Sequence, residues 1–448
     1  MYRIHLIAIG GSIMHNLALV LNQKGYQVSG SDDQIFEPAK SRLSAVGILP
    51  NSEGWYPDQI DNSIDLIILG MHAKKDNPEL IKAIQLGIPI QSFPEYIGQL
   101  YKDKKQIVVT GSHGKTTTTA MLAQVFKECG VAFDFLIGAQ LEGFQNMVSI
   151  SDAPYAIIEG DEYLSSCLDA RPKFMHYNPF INIITGIAWD HYNVFPTIQS
   201  YIQAFEQRVS TMNAGSHVVY YNNDSDLSQL IVQCGDHFIK HPYVEACYEL
   251  VNDKVNLILN NKHYPLQIFG RHNMQNIQAV VEASEIIGLD LNKVANALCN
   301  FKGAAKRMEL ISKNENQIRF RDFAHAPSKV RATLNAFRER YPDKKILVVI
   351  ELHTYSSLNK EFLPQYKDST EAVDKAIVYY DQKAMEIKNM PALDAEFVKL
   401  AFDNKSILVI EKAEDLQNAI HELQKDFEVI LFLGSGQFGG ISLLEIEN

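Results

Sequence analysis

The stretch from Gln106 to Thr119, QIVVTGSHGKTTTT, constrains this chain more than any other. An apolar run enters a glycine turn, and a helix-compatible run leaves it. Strand, turn and helix in that order aim backbone N–H groups and the positive end of the helix at one point, which suits a phosphate. Lys115 is placed to pair with the outer phosphates of a nucleotide, and the Thr116 hydroxyl to ligate Mg²⁺. ATP is therefore the expected ligand, with Gly111, Ser112, His113, Gly114, Lys115, Thr116 and Thr117 around it. The widespread loop G-x-x-x-x-G-K-[ST] would need glycine where Val109 stands, so this is a compressed form, Gly111-x-x-Gly114-Lys115-Thr116. A turn that merely caps a helix is the plainer alternative.

A chain of 448 residues exceeds one hydrophobic core, and its rhythm suggests three α/β domains, 1–103, 104–306 and 307–448. Strand and helix patterns alternate from His5 to Gly70. The charged run Lys102-Asp-Lys-Lys105 reads as a linker before the phosphate-loop strand, and a two-strand pattern flanks Asn260-Asn261. The rhythm resumes near Gln317, with strands at 345–350, 376–380, 406–410 and 428–433. A net charge of −12 argues against general attraction to nucleic acid or anionic membrane. Five cysteines without C-x-x-C spacing argue against zinc knuckles or a disulfide framework and fit a reducing cytoplasm. No apolar run approaches the ~18 residues of a membrane helix.

Other residues fall where nucleotide chemistry would need them. Glu159 ends an apolar strand in Glu159-Gly-Asp-Glu162 and is the expected Mg²⁺ ligand, with Asp161 and Glu162 behind it or in a solvated turn. His191 follows Asp190 at another strand end, a credible metal or phosphate ligand. In Gly270-Arg-His-Asn-Met-Gln-Asn276, one asparagine can cap the next helix while others face a base or ribose. Arg307 offers a bidentate phosphate contact, and Asp322 and His325 sit at a strand end.

In this order, the motifs resemble those of the Mur ligases, which use ATP to form amide bonds on peptidoglycan precursors. Thr110-Gly-Ser-His-Gly-Lys-Thr116 is similar to the family's phosphate loop, and Glu159, His191, Asn273 or Asn276, Arg307 and Asp322 match its metal, nucleotide and phosphate positions. The resemblance implies a Rossmann-like first domain for the UDP sugar, a P-loop ATPase-like central domain and a Rossmann-like third domain for the acceptor. It implies catalytic roles for Lys115, Glu159, His191, Arg307 and Asp322, with Thr116, Glu159 and His191 on the metal. His272, Asn273, Asn276, Arg307 and Asp322 join the loop around ATP. Gly10, Gly11, Ser12, Asp32, His325 and His353 fall to the substrates. The implied reaction couples UDP-N-acetylmuramate to the murein tripeptide L-alanyl-gamma-D-glutamyl-meso-diaminopimelate, with free L-alanine the alternative. The stretches 159–163, 171–177, 189–191 and 323–325 look most like the tripeptide-using branch.

Two positions depart from the pattern: Ala326 stands where a second histidine is usual, and Ala8 where the first-domain loop commonly has glycine. Ala326 would leave room near a longer acceptor. Residues 8–14 could instead open an NAD site with Asp32 on the ribose, but only the middle glycine of G-x-G-x-x-G is present. A UDP-sugar-binding protein without catalysis is the other alternative, and it would be expected to lack the ATP-site residues present here.

Overall fold

The computed structural model describes residues 2–251, 254–303, 308–388, 390–404 and 406–443. Three parallel-sheet α/β domains follow one another along the chain. The first has four parallel strands in the order Gln27–Ser31, Arg3–Ile7, Leu66–Leu69 and Ile90–Ser92. Leu66–Leu69 is apolar and buried throughout, as a strand covered on both faces must be. The helix Pro78–Leu86 and the strand Ile90–Ser92 extend this domain beyond the Gly70 at which the alternating pattern had ended. Their punctuation was nevertheless present: Asn77 accepts from the N–H groups of Glu79 and Leu80, Pro78 opens the helix, and Gly87 closes it at φ 67°.

The central sheet has six parallel strands, in the order Ile239–Tyr243, His217–Tyr221, Pro179–Ile184, Lys105–Thr110, Tyr155–Glu159 and Phe133–Leu136. The chain passes from Lys105–Thr110 to neighbours on both sides, so a crevice opens beyond its carboxyl end, where α/β sheets bind ligands. The phosphate-loop helix, Lys115–Glu128, packs against Arg271–Ile286 and Leu291–Cys299. Beside this core, Tyr248–Val251, Lys254–Leu259 and Lys262–Leu266 form an antiparallel sheet. Asn260 and Asn261, at φ 50° and 58°, make its two-residue turn, a conformation asparagine tolerates well.

The third domain carries Ile318–Asp322, Val429–Leu433, Ile346–Glu351, Lys375–Tyr379 and Leu408–Ile410 in parallel, with Glu309–Lys313 antiparallel at the edge. Its buried cluster is continuous with that of the central domain. At the junction, the Phe337 ring lies edge-on to Phe269 at 5.0 Å and to Phe320 at 4.8 Å. This packing brings the carboxyl ends of the central and third sheets to a common cleft.

The first domain joins the central one through the helix Phe93–Leu100, which carries a Ser92–Glu95 capping box. Gly98 on this helix faces the 3₁₀ turn Lys173–His176, where a Cβ would collide with the His176 carbonyl oxygen. Gly98→Ala is therefore expected to destabilise the protein by about 1–3 kcal/mol through overpacking, read as a lower midpoint in denaturant unfolding.

Candidate active site

Two glycines let the phosphate loop close on itself. Gly111 has φ 117° and lies against Thr185 and Gly186, while Gly114 has φ 78° and a Cβ there would collide with the Asn276 side chain. Both conformations favour glycine. The Lys115 ammonium, at the start of the helix, donates to the Gly111 carbonyl at 2.6 Å and to Glu162 Oε2 at 2.6 Å. Glu162 is wholly buried; its other oxygen lies 3.1 Å from His191 Nε2 and accepts from the Tyr201 hydroxyl, also at 3.1 Å. The sequence places Lys115 toward the outer phosphates of a nucleotide. Here it is half of a buried ion pair, because Glu162 turns inward rather than into solvent.

The expected metal group divides into two. Thr116 Oγ1 donates to Glu159 Oε1 at 2.7 Å, and the Gly138 N–H donates to Glu159 Oε2 at 2.7 Å. His191 lies instead with Asp161 and Glu162, whose ligand atoms all fall within 4.8 Å of one another. Asp161 is further held by Lys173 at 2.7 Å. Thr116 and Glu159 line one cleft together with Asp161 and His191, and Phe323 and His325 approach it from the third domain. Hydroxyl and carboxylate oxygens are the donors a hard cation such as Mg²⁺ takes, so Thr116 and Glu159 fit it.

A neighbouring cleft is lined by His113, Gly114, Thr117, His272, Asn273 and Asn276 on one side, with Asp322 and Lys329 on the other. Asn273 does not cap the helix, which begins at Arg271 after Gly270 at φ 89°; its Nδ2 donates to the Phe269 carbonyl at 2.8 Å. Asp322 accepts from the backbone N–H groups of Met308 and Ala324 at 2.7 and 2.8 Å. Arg307 lies outside the described residues.

In the first domain, Asp32 accepts from the Gly10 N–H at 2.8 Å, and burial and Asp33 push its carboxyl up to about 6. Gly11 precedes the helix Ser12–Gln23, and Ser12 lines a third cleft shared with Thr116, Met147 and Phe323. Ala8 takes the left-handed conformation at φ 68°, where glycine would be easier. Ala326 is buried just ahead of the helix Pro327–Arg340 and is not among the residues lining these clefts. His353, beyond the strand Ile346–Glu351, is likewise absent from the cleft around Lys115.

Charges in the main cleft sustain one another. Burial opposes ionisation of Lys115, but Glu162, Asp161 and Glu159 outweigh it and hold the ammonium above its usual range. Burial also opposes the charge on His191, which Glu162 and Asp190 raise, and that on Glu162, whose carboxyl Lys115 and His191 hold below the usual range. His113 is lowered to about 3 by burial and then by Lys329. The sequence reading missed Tyr201 and Lys329; neither lies in a recognisable motif, and only the fold brings them to the site.

A phosphate loop at a switch point, strand-end carboxylates beside it and a third α/β domain over the cleft define a nucleotide-using enzyme of several substrates. Residues 3–105 match the model described as Mur ligase family, catalytic domain, residues 109–284 the Mur ligase middle domain, and residues 306–436 the Mur ligase, glutamate ligase domain. The chain is 29% identical over 453 residues to UDP-N-acetylmuramate--L-alanine ligase of Clostridium kluyveri, covering 97% of this chain and 95% of that one. It is 30% identical over 386 residues to the enzyme of that name from Lactobacillus delbrueckii subsp. bulgaricus, covering 84% of each. The solved structure of UDP-N-acetylmuramate:L-alanyl-gamma-D-glutamyl-meso-diaminopimelate ligase from Neisseria meningitides aligns with a TM-score of 0.62 at 30% identity, covering 67% of this chain and 98% of that one. This chain belongs to the Mur ligase family and is an ATP-dependent carbon–nitrogen ligase.

Removing the Glu162 charge tests this electrostatic arrangement. With the folded pKa of His191 raised, its ion pair contributes stability below the unfolded imidazole value and loses it as pH rises through the folded one. Glu162→Gln is expected to lower the His191 titration midpoint, followed by NMR of the imidazole, and to weaken that low-pH contribution.

Proposed function

We propose that the chain activates the lactyl carboxylate of UDP-N-acetylmuramate with ATP and couples it to free L-alanine. The single observation that carries the ATP half is Lys115 and the Thr116–Glu159 pair at one cleft beyond the carboxyl end of the central sheet. The full-length relationship to L-alanine ligases supports the acceptor. The Neisseria structure favours a second reading, in which the L-alanyl amine belongs to the murein tripeptide. Both acceptors present the same amine, so selectivity depends on the pocket beyond the alanine rather than on ATP chemistry.

A carboxylate is a poor electrophile. In this reading the carboxylate attacks the γ-phosphoryl group of ATP with ADP as the leaving group, and the amine then displaces phosphate from the resulting acyl phosphate and gives up a proton as the amide forms. Lys115 offsets charge on the transferred phosphoryl oxygens, with Arg307 assigned the same task by resemblance. Thr116 and Glu159 would hold Mg²⁺, which supplies charge neutralisation at the phosphates when bound. His191, 3.1 Å from Glu162 and grouped with it and Asp161, is the further proposed metal ligand in the same cleft. Asn273, Asn276 and Asp322 would receive the nucleoside, and Gly10, Gly11, Ser12 and Asp32 the UDP sugar. His325 and His353 remain candidates for the acceptor side. The domains are proposed as 1–103, 104–306 and 307–448, and the cytoplasm as the place where these substrates meet.

Lys115→Met should lower turnover by ~10²-fold or more, from loss of a preorganised charge. Because Glu162 also loses its partner, circular dichroism must establish that the variant is folded; wild-type turnover by a folded variant would reject the assignment. Glu159→Gln should raise the Mg²⁺ concentration needed for half-maximal rate, and an unchanged Mg²⁺ titration would move the ligand role elsewhere. The deciding assay measures phosphate release with UDP-N-acetylmuramate and ATP, comparing L-alanine and tripeptide, with mass detection of products. Preferential coupling of the tripeptide would replace the L-alanine reading, and no coupling of either would overturn both.

A further inference from the structure

Lys329 occupies the first turn of the third-domain helix Pro327–Arg340, where the positive end of the helix disfavours a cation. Its ammonium nevertheless lies largely buried, 3.0 Å from Asp190 Oδ2 of the central domain. The ion pair has a consequence beyond itself. Asp190 Oδ1 accepts from the His191 N–H at 2.7 Å and so braces a turn in which His191 stands at φ 56°, a conformation non-glycine residues seldom adopt. His191 then meets Glu162 at 3.1 Å, and Glu162 meets Lys115 at 2.6 Å. Lys329, Asp190, His191, Glu162 and Lys115 thus form a continuous chain of alternating charge from the third domain to the phosphate loop.

Neighbouring contacts cross the same junction. Trp189 packs edge-on to Phe362 with ring centres 6.1 Å apart, the Tyr192 hydroxyl donates to Glu361, and the His113 ring meets the Ser328 hydroxyl. These contacts join residues 189–192 and the phosphate loop to the third domain. A buried ion pair has little net stabilising value after desolvation, whereas its geometric demand is strict, so the pair is better suited to specifying one docked arrangement than to holding the fold together.

We propose that Lys329 is a positioning residue: by holding Asp190 it fixes the turn that aims His191 at Glu162, and so couples docking of the third domain to the placement of the Lys115 ammonium. The phosphate loop is then fully arranged only when the domain that brings the acceptor is seated. The kinetic consequence rests on the ligase reading; the docking consequence does not.

Trp189 provides a local probe, since Trp55 is the only other tryptophan in the chain and Trp55→Phe leaves Trp189 alone. In that background, Lys329→Met should make Trp189 more accessible to acrylamide quenching and lower kcat by ~10-fold or more, while the dissociation constant of a non-hydrolysable ATP analogue changes less than ~3-fold. Lys329→Arg, which keeps the charge, should recover most of both properties. A parallel loss of kcat and nucleotide affinity would show that Lys329 binds phosphate directly and overturn the proposal. Unchanged quenching and kcat in Lys329→Met would also overturn it, as would an equal loss in Lys329→Arg. If the parent protein couples neither acceptor, the ligase reading fails, yet the quenching contrast still decides whether Lys329 seats the third domain.

Discussion

The buried carboxylate of Glu162 organises the centre of this protein. It has no exposure to solvent and meets a lysine, a histidine and a tyrosine hydroxyl from three different segments. A carboxylate in that position is tolerable only while those partners remain, and removing one partner of such a pair commonly costs about 3–5 kcal/mol. The phosphate-loop lysine is therefore arranged before any nucleotide arrives. The positive end of its helix and its ammonium face the same cleft, so preorganisation comes from the fold rather than from the ligand.

Domain order follows from where parallel sheets can bind. The central sheet opens at its switch point and the third sheet presents Asp322 from its own carboxyl edge, so the cleft between them is completed only where the two meet. The first domain contributes from a third direction: Arg42 donates to the Gln145 carbonyl at 2.9 Å and to Asn146 at 2.6 Å in the central domain, and Asn16 accepts from the Met147 N–H. A ligase with three substrates needs such convergence, because reacting groups must be held together while water is excluded.

Much of the fold was legible along the chain. Apolar strands, glycine turns and helix caps are local signals, and Lys105–Thr110 and the Asn260-Asn261 turn fall where those signals put them. The late strands of the third domain were likewise anticipated to within a residue or two, the largest difference being the start of Leu408–Ile410, since Ser406 bonds to Asn404 instead of extending the ladder. Less visible were the helix Pro78–Leu86, despite its clear start and stop residues, and Phe133–Leu136, whose four residues carry little periodicity.

What the sequence determined by itself was the chemistry available: a phosphate loop, a strand-end carboxylate, asparagine amides and an acid on the third domain. These depend on residue type and near neighbours, which a linear reading preserves. Tertiary structure decided how the groups are divided. Glu159 stands with Thr116, while His191 is turned by Asp190 toward Glu162 and joined through Lys329 to another domain. Residues separated by 139 positions form that last pair, and no local pattern marks either of them for the other. Their meeting is a product of packing, which alone brings distant side chains within bonding distance and removes the water that would otherwise separate their charges.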